Sequence, residues 1–135
     1  MTRIVRVGVT FQPELLKEFD EVIRKIGYRN RSKAVQNAVR IFVNEEKWRQ
    51  KESGNQAGLL TILYDHEVRG LENALTHAQH HHASIILSTM HIHLNERECL
   101  ETIAVKGNSN EIRNLSDELT AKRGVKMLRT IVVSV

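Results

Sequence analysis

The chain has 135 residues, among them 20 Lys/Arg, 16 Asp/Glu and seven His, for a formal net charge of +4. That length allows one domain or two very small ones, each marginal alone unless it oligomerises. A single cysteine excludes an intrachain disulfide, the N-terminus lacks an apolar core with a small-residue cleavage site, and no apolar run is long enough for a membrane span. A reducing cytoplasm is the expected compartment.

The charge is unevenly spread. Residues 1–51 hold twelve Lys/Arg against six Asp/Glu, whereas residues 52–135 hold eight against ten. All seven histidines lie between His66 and His93. A basic first third suits a polyanionic partner. The histidine-rich remainder suggests a separate task.

The first element, RIVRVGVTF, alternates. Val5, Val7, Val9 and Phe11 share one face and Ile4, Arg6, Gly8 and Thr10 the other, which predicts a half-buried strand. QPELLKEFDEVIRKIG predicts a helix. Pro13 suits its first position, Glu14 its positive end, and Gly27 its stop. Leu15, Leu16, Phe19, Val22, Ile23 and Ile26 form its apolar stripe. NRSKAVQNAVRIFV restarts the helical period with Asn30 as N-cap and Ala34, Val35, Ala38, Val39, Phe42 and Val43 inward. A strand without a partner leaves an open edge. Pairing with the same strand of a second copy, across a twofold axis, closes it. Such a two-stranded ribbon fits the major groove of double-stranded DNA, with Arg6, Gly8 and Thr10 facing the bases. The start of the second helix, carrying Arg31 and Ser32, suits a phosphate. Taken singly, each feature has a plainer explanation: a wet strand face, or a serine that only caps its helix.

A short alternating strand, a helix and then GYRNRSKAV resembles the ribbon–helix–helix repressors. The resemblance implies an intertwined dimer with a phosphate anchored near Arg31 and Ser32.

NEEKWRQKESGNQAG breaks the pattern, so a linker is expected over 52–58, between a DNA-binding domain (1–51) and a second domain (59–135). LLTILYDH then predicts a strand, and EVRGLENALTHAQHH a helix with Val68, Leu71, Leu75 and Ala78 on one face. SIILSTMHIHL and CLETIAVKG predict two strands joined by the turn NERE. NSNEIRNLSDELTAKRG predicts a helix with Ile112, Leu115 and Leu119 inward, and VKMLRTIVVSV a closing strand. The order βαββαβ is the split, ferredoxin-like arrangement, and the whole chain is α+β.

Side chains on a strand alternate faces, so His91 and His93 project together and can meet one metal. If residue 93 pairs with residue 99, Cys99 joins the histidine face and Glu101 lies opposite His91. A one-residue slip puts Cys99 on the other side. Glu101 is then expected to accept the spare imidazole N–H. His80, His81 or His82 can supply a fourth ligand, from a neighbouring subunit if the helix end lies far from the hairpin. Three nitrogens and a thiolate suit tetrahedral Zn(II) or square-planar Ni(II) or Cu(II).

The two halves together resemble the nickel-responsive ribbon–helix–helix regulators of NikR type. The matching stretches are the basic strand, GYRNRS, YDHE, QHHH, HIHLNEREC and LETIAVKG. The resemblance covers nearly the whole chain. It implies a ferredoxin-like (ACT-type) regulatory domain in a homotetramer, a dimer of DNA-binding dimers. It implies Ni(II) held by His91, His93 and Cys99 of one subunit and His80 of another, with Tyr64, His66 and Gln79 near the metal network. It also implies an Arg69 that approaches the DNA backbone. Gly8 stands where the family usually has a polar groove-facing side chain, which leaves base readout to Arg6 and Thr10. Lys33 and Asn37 stand where the family often has cation-binding carboxylates, and Lys33 can instead add a phosphate contact. The function so implied is a non-enzymatic regulator, a repressor of nickel uptake acting on a dyad-symmetric operator. Two alternatives stay open. One is a regulator of the same build that answers to Cu, Co, Zn or a small ligand. The other is a zinc hydrolase or deaminase, against which stands the lack of any His-X-Glu with Pro-Cys-X-X-Cys.

Overall fold

The computed structural model describes residues 3–50 and 54–135. The chain divides into two compact units, Met1–Ile41 and Phe42–Val135.

In the first unit, residues 3–12 carry no regular secondary structure, and Ile4 and Val7 are 84% and 81% exposed. A half-buried strand is the expectation there. A strand needs a hydrogen-bonding neighbour, and among the described residues none pairs with this segment. Helix α1 (Pro13–Ile26) starts with proline at its first position and ends at Gly27, whose φ of 98° lies in the left-handed region. The Gly27 and Tyr28 N–H groups donate to Ile23 O, which closes the last turn. Helix α2 (Arg31–Glu46) follows. As expected, Asn30 caps it: its Oδ1 accepts from Lys33 N–H at 3.1 Å. Ile23 and Ala34 are the residues buried in α1 and α2. Val22, Ile26, Val39, Phe42 and Val43, expected to face inward, are exposed. Among the described residues, these apolar side chains are left largely uncovered.

The second unit holds a four-stranded sheet of β1 (Asn55–Asp65), β2 (Ile86–His93), β3 (Glu98–Asn108) and β4 (Val125–Ser134), in the order β2-β3-β1-β4. Every neighbouring pair is antiparallel. With α3 (Leu71–His81) and α4 (Ser109–Thr120), this is the ferredoxin-like order expected. The core joins Leu60, Ile62, Tyr64, Cys99, Ile103 and Val105 of the sheet to Leu71, Leu75 and Ala78 of α3 and Ile112, Leu115 and Leu119 of α4. All six of those helix residues are among the expected inward positions. The opposite sheet face carries exposed Leu59, Met90, Ile92, Met127, Ile131 and Val133.

Two boundaries differ from expectation. β1 begins at Asn55, so residues 55–58 belong to the sheet, and residues 52 and 53 of the expected linker lie outside the described residues. Gly58 is no hinge. A Cβ there would collide with Ile131 O of β4 and stand 2.7 Å from Val132 Cα, so only glycine allows this approach of strands. The division between units also falls earlier than the expected linker. A 3-10 turn, Lys47–Gln50, follows α2 and buries Trp48 in the core of the second unit, with its indole N–H on Thr130 Oγ1 at 3.3 Å. The Glu45 carboxylate takes Arg129 Nε at 2.6 Å and the Thr130 N–H at 3.1 Å, occupying an N–H of the edge strand β4.

Candidate metal centre

The β2–β3 hairpin sets the geometry. At its turn, Asn95 Oδ1 accepts the N–H groups of Arg97 and Glu98 at 2.9 and 2.8 Å, and Leu94 N–H donates to Glu98 O at 2.9 Å. A side chain that satisfies the turn's own donors leaves little freedom to slip. The register pairs His93 with Cys99 and His91 with Glu101. Both imidazoles therefore share the helix-covered face with Cys99. Their rings lie 6.0 Å apart and nearly parallel. Cys99 is fully buried, and its Sγ is 3.2 Å from His93 Nδ1.

The supporting groups come from three elements. The Tyr64 hydroxyl, from β1, bonds His91 Nε2 at 2.5 Å. Burial above all, and then the charges of Cys99 and Glu101, push that phenol's pKa well up, so it stays protonated. A hydroxyl both donates and accepts, so it can serve either tautomer of His91. Glu101 is buried, yet its Oε2 stands 3.6 Å from His91 Nε2, beyond hydrogen-bond range. The nearer partner of His91 Nε2 is thus Tyr64, with Glu101, the partner expected from the sequence, behind it. Glu101 Oε1 accepts from Gln79 Nε2 of α3 at 2.8 Å. His66 follows β1, and its N–H on Arg97 O (2.8 Å) holds it beside the hairpin turn, with its ring edge-on to His93 at 6.4 Å. Tyr64, Gln79, His91, His93 and Glu101 line one cleft of about 470 Å³, together with Glu72, Leu75, Thr76 and Thr89.

His80 is not part of this cleft. It is exposed on α3 and lines a neighbouring groove with Ala83 and Ile86 that shares Thr76 and Gln79 with the cleft. His81 and His82 turn to a third place, against Glu118 of α4. The three consecutive histidines thus diverge. Two imidazoles and a thiol, backed by a buried carboxylate and a phenol, fit a borderline divalent cation better than a hard one such as Ca(II) or Mg(II).

The residues expected at DNA are spread over both units. Arg6, Gly8 and Thr10 lie exposed in residues 3–12, and Ser32 and Lys33 are exposed at the start of α2. Arg31 is bound to Asp20 of α1 through Nε and a terminal nitrogen, at 2.9 and 2.8 Å. That bond holds the Asp20 carboxyl below the usual carboxylate range. In the second unit Arg69 lines a cleft of about 380 Å³ with Lys122 and Arg123. Sequence reasoning missed those two cations. They lie more than fifty residues away along the chain, at the end of another helix.

Comparison with known proteins gives a consistent picture. Residues 57–133 match the family described as the NikR C terminal nickel binding domain. A protein of Methanocaldococcus jannaschii named as a nickel-responsive regulator is 38% identical over 133 residues, 98% of this chain and 94% of that protein. One from Caldanaerobacter subterraneus subsp. tengcongensis, with the same name, is 44% identical over 123 residues, 91% of this chain and 79% of its own. A third, from Dictyoglomus turgidum, is 40% identical over 126 residues, 93% of each. A solved structure, the uncharacterized protein TM1266 of Thermotoga maritima, superposes with a TM-score of 0.50 at 18% identity. It covers 60% of this chain and 98% of its own, a likeness of fold alone.

Proposed function

Because this chain belongs to the NikR family of nickel-responsive regulators, we propose that it represses nickel-uptake genes, gripping its operator when Ni(II) is held between subunits. His91, His93 and Cys99 of one subunit hold the ion with His80 of another. When bound, Ni(II) supplies a link between subunits, since borderline cations take imidazole and thiolate donors. Tyr64 orients His91, and the bond from Gln79 to Glu101 ties the floor of the cleft to α3. His80 follows Gln79 directly on that helix. A shift in the cleft is thereby passed to the helix that offers His80 to a neighbour.

The observation that carries this reading is the pairing of His93 with Cys99, which sets the thiol on the imidazole face. The position of His80, exposed and outside the lining of the His91/His93 cleft, supports a ligand from a second subunit. The exposed apolar sheet face and the uncovered stripes of α1 and α2 support assembly through further copies. At the other end, the segment carrying Arg6 and Thr10 pairs with its twin to form the groove-reading ribbon, while Ser32, Lys33 and Arg69 meet phosphates. Metal and DNA must favour the same arrangement, so each tightens the other.

The test is selection of bound sequences from a random double-stranded DNA library, with and without Ni(II). The expected result is recovery of a dyad-symmetric sequence only with the metal, and its loss in Cys99→Ala. Equal recovery without Ni(II), or by Cys99→Ala, overturns the reading. Parallel arms with Cu(II), Co(II) and Zn(II) show whether the response belongs to nickel.

A further inference from the structure

We propose that His81, His82 and Glu118 form a second metal site, for a divalent transition cation of the Zn(II) or Co(II) kind, that clamps the end of α3 to α4. His81 is the last residue of α3 and His82 its C-cap; the His82 N–H reaches the carbonyls of Ala78, Gln79 and His80. Both imidazoles turn to one carboxylate oxygen. His82 Nε2 is 2.7 Å from Glu118 Oε2, and His81 Nδ1 is 3.9 Å from the same atom. The two rings are 5.0 Å apart and tilted by 60°. One ligand atom from each of the three residues falls within 4.8 Å of the others.

Donors bound to one tetrahedral cation at about 2.0–2.2 Å stand roughly 3.3 Å from one another. The gap at His82 is a little short of that and the gap at His81 a little long. A small turn of the His81 side chain, 70% exposed, corrects the second, and a slight parting of His82 from Glu118 admits the ion. His82 and Glu118 are half-buried, with side chains 14% and 29% exposed, and their mutual bond already holds two of the three donors. Two nitrogens and one carboxylate leave a position open for water, and they disfavour hard cations such as Ca(II) or Mg(II).

This site shares no residue with the cleft of His91, His93 and Cys99 and has no thiol. It does share a helix end with His80, the residue before His81. If His80 serves a neighbouring subunit, a clamp here holds the backbone that presents it. That consequence rests on the function proposed above; the site does not. The plain alternative is a His82–Glu118 ion pair that only ties two helices.

Titration of the full-length protein with Co(II) separates the possibilities. Cobalt at Cys99 shows thiolate charge-transfer absorption, whereas cobalt at His81, His82 and Glu118 shows weak ligand-field bands alone. The expected result is one further equivalent per chain without the thiolate signature. Glu118→Gln and, separately, His81→Asn weaken that equivalent at least tenfold while the thiolate-marked band is still formed. His81 is exposed, so its substitution does not endanger folding. Two results overturn the proposal: no cobalt bound without the thiolate signature, or such binding undiminished in both variants. A protein with no thiolate band but a Glu118-sensitive ligand-field band keeps this site and loses the nickel centre instead.

Discussion

Cys99 joins packing to chemistry in a single side chain. It is buried among core residues, yet its sulfur touches His93. On the proposed ligand set, Cys99→Ala is expected to lower Ni(II) affinity by more than about 100-fold, since it removes a ligand rather than the support of one. Competition against a chelator of known affinity measures the change. Tyr64→Phe keeps the ring in the core and removes only the hydroxyl on His91. The expected loss in Ni(II) affinity is about 10- to 100-fold, the size of effect that follows loss of an outer partner, with the thermal transition still cooperative. An unchanged affinity in Tyr64→Phe means that His91 ligates without help from the phenol. The period of two along the strand was enough to put His91 and His93 together. It could not say that a tyrosine from β1 would take the bond expected of Glu101, because that choice depends on which side chain is longer across the sheet.

Helices and strands of the second unit follow their local signals closely, and their exceptions lie where strands meet. Gly58 sat in a polar, glycine-containing stretch and read as linker; only the closeness of β4 makes it a strand glycine. Gly58→Ala is expected to cost about 1–3 kcal/mol, the usual range for forcing atoms into a packed site, measured as a drop in the denaturant midpoint. The end of α2 offers a pH test. Arg129 above all holds the Glu45 carboxyl below its ordinary value, with help from the Thr130 N–H. A depressed pKa stabilises the fold above the unfolded value, about 4.3 for Glu. That contribution disappears as the pH falls through the lower folded value. Glu45→Gln is therefore expected to lose roughly 1 kcal/mol at pH 7, discounted because Arg129 is half exposed. The difference from the parent should vanish in strong acid. A variant gap that is the same at pH 7 and pH 2.5 rules out this origin.

For the assembled protein, the apolar surface left open in each unit leads to one expectation. Sedimentation should find a species larger than one chain, because Val5, Val7 and Val9 on residues 3–12 and Ile131 and Val133 on β4 are exposed. Val7→Asp places a charge on the apolar face of the proposed two-stranded ribbon, opposite Arg6 and Thr10. It should abolish DNA binding while leaving the melting of the second unit within about 0.5 kcal/mol of the parent, the usual range for an exposed change. DNA binding by the parent should also fall steeply with salt, as phosphate contacts require.

Reading the residues alone was sufficient for the helices, the order βαββαβ, the buried faces of α3 and α4, and the common face of His91 and His93; that Cys99 joins them was decided by the hairpin register. Each of these depends on periodicity or on neighbours a few positions apart, so the information is local. Other features needed the folded chain. Arg31 meets Asp20, Lys122 and Arg123 join Arg69, His82 finds Glu118, and Trp48 extends the second unit back across the expected boundary. These partners are brought together by the crossing of helices and strands, and no spacing along the chain encodes which distant side chain arrives beside another.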